Sequence, residues 1–416
     1  MKAPRIGILT LRLLHATSMG EDEGSITGSE EMMLNGFAAL VSACDPRKSY
    51  LNWLLLSVPI AAYASITHMS ATSQFVFSMI GIMPLAFLMG KATEEIATKT
   101  SESVGGLLNA TFGNAAEIII AVIAIYAASS AYKAGDNAGG DVMVQLVKTS
   151  LIGSILGNLL LVMGLSFLWG GLRHKKQSFN PQAVSINSTL LLLATICLIL
   201  PTVFHITLSS SGQFPESEIL DGVLMVSRLA AIVLMVSYGL LLLFQLKTHS
   251  DMMAASNHEH EDATMNLRDA ALLLIISTIF VSWMAEIMVH SVEAAGDTLG
   301  LPAVFIGVIL LPLFGNAAEH FTAVVVAAKN RMDLSIGIAI GSSVQIAAFV
   351  APLVILISWI IGLDLTFEFG LLETAACMLA VLIANSICRD GQSNWMEGAM
   401  LLATYVIIGF AFLFHP

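Results

Sequence analysis

GNAAE stands at residues 113–117, inside LLNATFGNAAEIIIAV (107–122), and again at 315–319, inside ILLPLFGNAAEHFTAV (309–324). From average residue usage a given five-residue word has a chance of about one in a million per position. Two copies in 416 residues therefore record a repeat. Each copy sets a carboxylate, with the same small and polar neighbours, in the middle of an apolar segment.

The surrounding composition says what kind of chain does this. Hydrophobic residues make up 56% and charged residues 12%, about half the charge fraction of a soluble domain. The chain reads as an integral membrane protein. A net charge of −12 excludes a nucleic-acid partner, which would demand basic clusters, and suits the handling of cations. The cysteines (Cys44, Cys197, Cys377, Cys388) are scattered and read as small packing residues, with no disulfide framework and no zinc site. Residues 1–48 read as a polar cytosolic tail carrying Glu21, Asp22, Glu23, Glu30 and Glu31, without a cleavable signal.

Apolar runs near twenty residues predict eleven spans, at about 51–68, 74–92, 104–129, 143–170, 182–204, 221–246, 268–294, 302–328, 333–360, 370–387 and 396–414. No strand alternation competes, so the expected fold is an all-α integral membrane bundle. Lys and Arg set its orientation. With the N-terminus in the cytosol, the cytosolic loops hold Arg47, Lys48, Lys91, Lys99, Arg173, Lys175, Lys176, Lys247, Arg268, Lys329, Arg331 and Arg389, against Lys133 opposite. The C-terminus is then lumenal.

The polar stretch HSDMMAASNHEHEDATMN (249–266) divides the chain. With an extra first helix (49–73) set aside, five spans lie in 74–246 and five in 268–416, joined by an acidic cytosolic linker at 247–267. An odd number inverts the second set relative to the first, giving inverted five-helix repeats. Each GNAAE lies on the second helix of its set. The third helices also match, through LIGSILGN (151–158) and AIGSSVQI (339–346). Their glycines lie 40 residues after Gly113 in the first set and 26 after Gly315 in the second. The excess, around SSAYKAGDNAGGDV, is expected to lengthen one lumenal loop.

Inverted repeats bring equivalent helices together near the bilayer midplane, so Glu117 and Glu319 are expected to face each other. One ionised carboxylate at that depth costs about 2.5–3.5 kcal/mol on insertion scales. A facing pair needs one divalent cation or two protons, and the expensive empty state couples the two. Asn114 and Asn316 lie three residues before each Glu on the same helical face. Ser154, Asn158, Ser342, Ser343 and Gln345 come from the helices that follow, and Gly113, Gly315 and Pro312 weaken the helices locally. An all-oxygen cage suits a hard cation such as Ca2+, which takes six to eight oxygen ligands, and no Cys or His cluster competes for a softer metal.

The blocks ATEEIA (92–97), GGLLNATFGNAAE (105–117), IGSILGNLLLVMGL (152–165), GNAAEH (315–320), MDLSIGIAIGSSVQ (332–345) and SNWMEG (393–398) resemble the calcium/proton exchangers of the cation/proton exchanger family, and most closely the fungal vacuolar type. The resemblance implies a vacuolar secondary antiporter, not an enzyme, in which Glu117 and Glu319 bind Ca2+ or protons in turn. It puts Asn114, Asn316, Ser154, Ser343 and Gln345 on site-lining positions and His320 on the family's histidine. It also implies a regulatory acidic segment, here Glu259, Glu261 and Asp262, and a path shared with Mn2+. The family often has Val as the fourth motif residue, where this chain has Ala116.

Glu94 and Glu95 read as solvated helix-end charges or, by the resemblance, as an ion entry or gating element. Glu286 sits mid-span, which makes it part of a cation path or the partner of another polar group. His320 either relays protons or orients Glu319. No cofactor is expected beyond the transported ions; a homo-oligomer in the bilayer stays open. The rivals are a Na+-driven calcium exchanger of the same superfamily and, in another class, a cation channel.

Overall fold

A computed structural model describes residues 42–47, 49–100, 102–249 and 265–415. The acidic linker residues Glu259, Glu261 and Asp262 and most of the N-terminal tail lie outside them. The chain is a helical bundle: α1 (Tyr50–Ile66), α2 (Ala71–Ala97), α3 (Glu102–Phe112), α4 (Ala115–Ala134), α5 (Asn137–Arg173), α6 (Pro181–Ser211), α7 (Glu216–Thr248), α8 (Leu267–Leu299), α9 (Ala303–Gly315), α10 (Ala317–Ala328), α11 (Met332–Ile361), α12 (Leu371–Asp390) and α13 (Trp395–Leu413).

Among the described residues, nine helices are long and apolar enough to cross a membrane, and the bent pair α9–α10 makes a tenth. The sequence predicts eleven. The difference is α1, whose seven residues Tyr50–Leu56 coil as a 3-10 helix before ten α-helical residues. The longer 3-10 rise stretches so short a helix to about 29 Å, close to the hydrocarbon thickness of about 30 Å.

Helices α2–α7 and α8–α13 follow one order in opposite directions: a straight helix, a broken one, a long one, then two outer ones. The two straight helices, α2 and α8, pack along each other. The third helix of the first set, α5, is the most deeply buried span. A short antiparallel pair, β1 (Gln177–Ser178) with β2 (Gln392–Ser393), ties the loop after α5 to the loop before α13. One face of the bundle receives the helix ends bearing Lys91, Lys99, Arg173, Lys247, Arg268, Lys329 and Arg389; we call it the basic face. The opposite, acidic face receives those bearing Asp136, Asp141, Glu216, Glu293, Asp297, Asp364 and Glu368.

Among the described residues four helices open locally into π turns, α7 at Phe244–Thr248 and α9 at Ile306–Leu310 among them, and the other two sit at matching places. The backbone opens into a π turn at Gly157–Val162 in α5 and at Ile346–Val350 in α11, just after each Gly-Ser pair. Such turns widen a helix by one residue and recur at functional sites.

The insertion near SSAYKAGDNAGGDV is not a loop. Helix α4 runs eight residues longer than α10, and α5 seven longer than α11, so the extra chain forms a projecting helical hairpin. Gly135 supplies the left-handed cap (φ 84) and Asp136 accepts from the Gly139 N–H to start α5. The Tyr132 hydroxyl donates to Asp141 across the arms (2.6 Å). Removing seven residues from each arm should leave insertion and thermal stability nearly unchanged, because seven residues fall within about 20° of two full helical turns. A trimmed protein that inserts but unfolds on mild heating would show that the hairpin braces the bundle.

Candidate functional site

Each GNAAE motif is a helix break. The backbone leaves the α region at Asn114 (φ −105, ψ 24) and at Asn316 (φ −97, ψ 9), both in the sparsely populated bridge region. The α9–α10 pair bends by 60° there. Glycine before the asparagine lets the first half end, and alanines after it let the second half begin without crowding. At each break the carbonyl end of one half-helix meets the N–H end of the next, with Glu117 and Glu319 in the first turns of α4 and α10. The positive end of each half-helix dipole then lies beside a carboxylate.

The two breaks share one region. Gln345, which meets Asn114 of the first break, and Ser342, which meets Glu319 of the second, lie one turn apart on α11. Asn114, wholly buried, donates from Nδ2 to Gln345 Oε1 on α11. Asn316 donates from Nδ2 to Ser154 Oγ on α5 (3.2 Å). Each asparagine thus reaches the third helix of the other repeat. Ser342 Oγ donates to Glu319 Oε2 (2.6 Å). Asn114 Oδ1 and Glu117 Oε1 are buried acceptors with no donor among the described residues. Converging oxygens that no N–H or O–H satisfies are what a hard cation needs and what an apolar core penalises.

The buried Ser343 turns its hydroxyl to Ala339 O of its own helix (2.8 Å), so Ser342 is the serine on the carboxylate. Asn158 is buried in the α5 π turn with Nδ2 unpartnered, and His320 is buried with Nε2 unpartnered. Glu94 is exposed. Glu95 is buried and accepts from the Met265 N–H (3.1 Å), while Lys99 donates to the Met265 carbonyl. The two clamp the chain where α8 is about to begin. Glu286 lies on an exposed face of α8, one or two turns from Trp283, His290 and Glu293. Sequence reasoning passed over Lys148 and Arg228, single cations inside long apolar windows. Both reach the segment 362–370: Lys148 donates to Glu368 O (2.8 Å) and Arg228 pairs with Asp364 (2.9 Å).

The two halves of the site are not equally closed. Beside α9, a β-carbon on Gly153 would overlap the Val308 carbonyl oxygen, and one on Gly307 would overlap the Thr149 hydroxyl. On that side α5 and α9 touch backbone to backbone. On α11, Gly341, the counterpart of Gly153, and Gly337 a turn earlier have open space where a β-carbon would stand, while Gly105, the counterpart of Gly307, meets Ala97 of α2. Helix α3 packs against α2 and the end of α7 instead. The acidic-face side of the site is sealed, and the basic-face side is loose.

Inverted repeats, two broken helices and a shared oxygen cluster at the breaks define an inverted-repeat membrane transporter. The sequence family described as "Sodium/calcium exchanger protein" matches residues 70–247 and 270–414, and the chain belongs to it. The Ca(2+)/H(+) antiporter of Aphanothece halophytica is 44% identical over 378 residues, covering 87% of this chain and 96% of that protein. The vacuolar calcium ion transporter of Schizosaccharomyces pombe is 38% identical over 371 residues, covering 88% and 85%. Among solved structures, native YfkE superposes with a TM-score of 0.71 at 35% identity, covering 88% of this chain and all of that one (100%). The H+/Ca2+ exchanger CAX shares the fold, with a TM-score of 0.66 at 14% identity over 89% and 93%.

Proposed function

We propose that the chain is a secondary antiporter that exchanges cytosolic Ca2+ for lumenal H+, with Glu117 and Glu319 holding one Ca2+ or protons in turn. The observation that carries this reading is the pair of donorless buried acceptors, Asn114 Oδ1 and Glu117 Oε1, tied through α11 to Glu319. Asn114, Asn316, Ser154, Ser342 and Gln345 fix the carboxylates and complete the oxygen set. Ca2+ or two protons cancel the doubled charge, and the empty site is too costly to cross the bilayer. That cost makes the protein an exchanger where a pore would leak. Relatives named Ca2+/H+ antiporter and vacuolar cation/proton exchanger support proton over sodium as the counter-ion. Mn2+ fits the same hard-oxygen chemistry.

The loosely packed basic face is the cytosolic side, where the Lys and Arg excess belongs. Alternating access follows if α2 and α8 slide against the fixed helices and let α3 close as α9 opens. The vacuolar membrane is the location that the fungal and rice relatives support. The acidic linker sets the rate from outside the site, through the Glu95–Met265–Lys99 clamp.

Purified protein in sealed vesicles tests the reading. A pH gradient alone, acidic on the lumenal side, should drive Ca2+ uptake, while a Na+ gradient or a voltage alone should not. Acidifying the Ca2+-loading side should inhibit uptake, because protons on Glu117 and Glu319 remove the charge that Ca2+ needs. Equal uptake under a Na+ gradient would assign the sodium-driven mechanism instead.

A further inference from the structure

Between α11 and α12 the chain leaves helical geometry for residues 362–370, yet Leu365, Phe367 and Phe369 are buried in the bundle. Irregular backbone at such depth must have its polar groups satisfied. Here side chains do it: Phe367 N–H donates to Ser227 Oγ (3.0 Å) and Phe369 N–H to Thr202 Oγ1 (2.9 Å). Lys148 Nζ donates to Glu368 O (2.8 Å) and to Thr366 Oγ1 (3.3 Å). His205 adds a contact that depends on a proton titrating in the imidazole range. Its Nδ1 meets Glu368 Oε1, and its Nε2 meets Glu216 Oε1 (3.1 Å).

A neutral imidazole has one N–H and one lone pair. With a carboxylate oxygen at each ring nitrogen, a neutral ring would point its lone pair at a second lone pair. Only the imidazolium donates at both ends, with charge-assisted strength. The surroundings are acidic. Helix α7 brings Glu216, with Glu218 and Asp221 exposed nearby on the same helix, the segment brings Glu368 and Asp364, and α12 begins with Glu373 folded back over Gly370. The cations are Lys148, spent on the Glu368 carbonyl, and Arg228, paired with Asp364 and stacked on Trp359 (4.7 Å).

We infer that His205 is a second proton-binding site, separate from the transport carboxylates, whose imidazolium fastens the 362–370 segment to the acidic-face ends of α6 and α7. The segment leads directly into α12, which packs against α5 and its π turn beside Asn158. A proton on His205 therefore firms the scaffold around the site, and its loss slackens that scaffold. The effect on transport rests on the exchange reading above; the effect on the segment does not.

Hydrogen exchange on the full-length protein in lipid nanodiscs tests the segment directly. After correction for intrinsic exchange, protection of the segment should fall roughly tenfold as pH rises through the histidine range, the size expected for one charge-assisted hydrogen bond. His205→Gln should show the low protection at every pH. His205→Arg, permanently charged and able to reach both carboxylates, should keep the high protection throughout. In vesicles at a fixed pH difference, wild-type exchange should slow as both sides are made less acidic, and His205→Gln should lose that part of the dependence. Protection in the wild type that ignores pH, or matches that of His205→Gln, overturns the inference. Absent Ca2+/H+ exchange with pH-dependent protection would instead sink the exchange reading and leave the proton site standing.

Discussion

Glu117→Gln and Glu319→Gln are each expected to abolish Ca2+ uptake driven by a pH gradient while the protein still reaches the membrane. Gln keeps the volume and one oxygen but removes the charge and the titratable proton. Either single variant leaves one negative charge facing a divalent ion, so the double variant should be little worse than either alone. That non-additivity marks residues acting as one unit. Glu→Asp should be milder but still damaging, because one missing methylene withdraws the oxygen by about 1–1.5 Å from a cage built for contacts near 2.4 Å. Uptake by vesicles at matched protein content is the measurement. Robust gradient-driven uptake by either Gln variant would end the shared-site mechanism.

The second large effect comes from a single methyl group. Gly153→Ala places a β-carbon on the Val308 carbonyl oxygen, a backbone atom that cannot step aside without moving α9. Overpacking of a fitted core costs about 1–3 kcal/mol, and here it falls where the acidic-face side is sealed. We expect a lower melting temperature and uptake reduced at least tenfold. Gly341→Ala is the control, since a β-carbon there meets nothing within 4 Å in this conformation. It should leave thermal stability unchanged. Equal melting temperatures for the two variants would mean that α5 and α9 are not held as described.

Much of this arrangement was legible in the residues. Apolar runs locate the spans because a bilayer tolerates little else, and the repeated motif betrays the inversion. Glu117 and Glu319 stand out since the one Lys or Arg on their half-helices, Lys133, lies at the far end of α4. The remainder turns on details that one-dimensional reading averages away. Ser342 and Ser343 differ by one position, about 100° around a helix, and only the local backbone shows which hydroxyl meets Glu319. Gly135, Asp136, Gly139 and Gly140 look like a loop, yet Gly135 and Asp136 serve as caps that let both helices run to the turn. Lys148 and Arg228 vanish in a twenty-residue hydropathy window, although each secures the 362–370 segment. Glu95 reads as a solvated helix-end charge or a gate by its position, and only the folded chain shows its carboxylate accepting from the Met265 backbone.

The π turns of α5 and α11 set a rule about chain length. Each holds one residue more than an α-helical path would need, so the halves on either side are phased around that extra residue. Drawing 157–162 into unbroken α-helix with every residue kept would turn the second half of α5 by about 100°. Gly164 and Gly171, which fit α13 at Leu401 and Trp395, would then face other neighbours. The same holds for α11 beyond 346–350. The α4–α5 hairpin carries fourteen residues more than the α10–α11 connection, since that end is free. At these two π turns one looped-out residue sets the facing of everything beyond it, while fourteen residues added at the hairpin re-aim nothing.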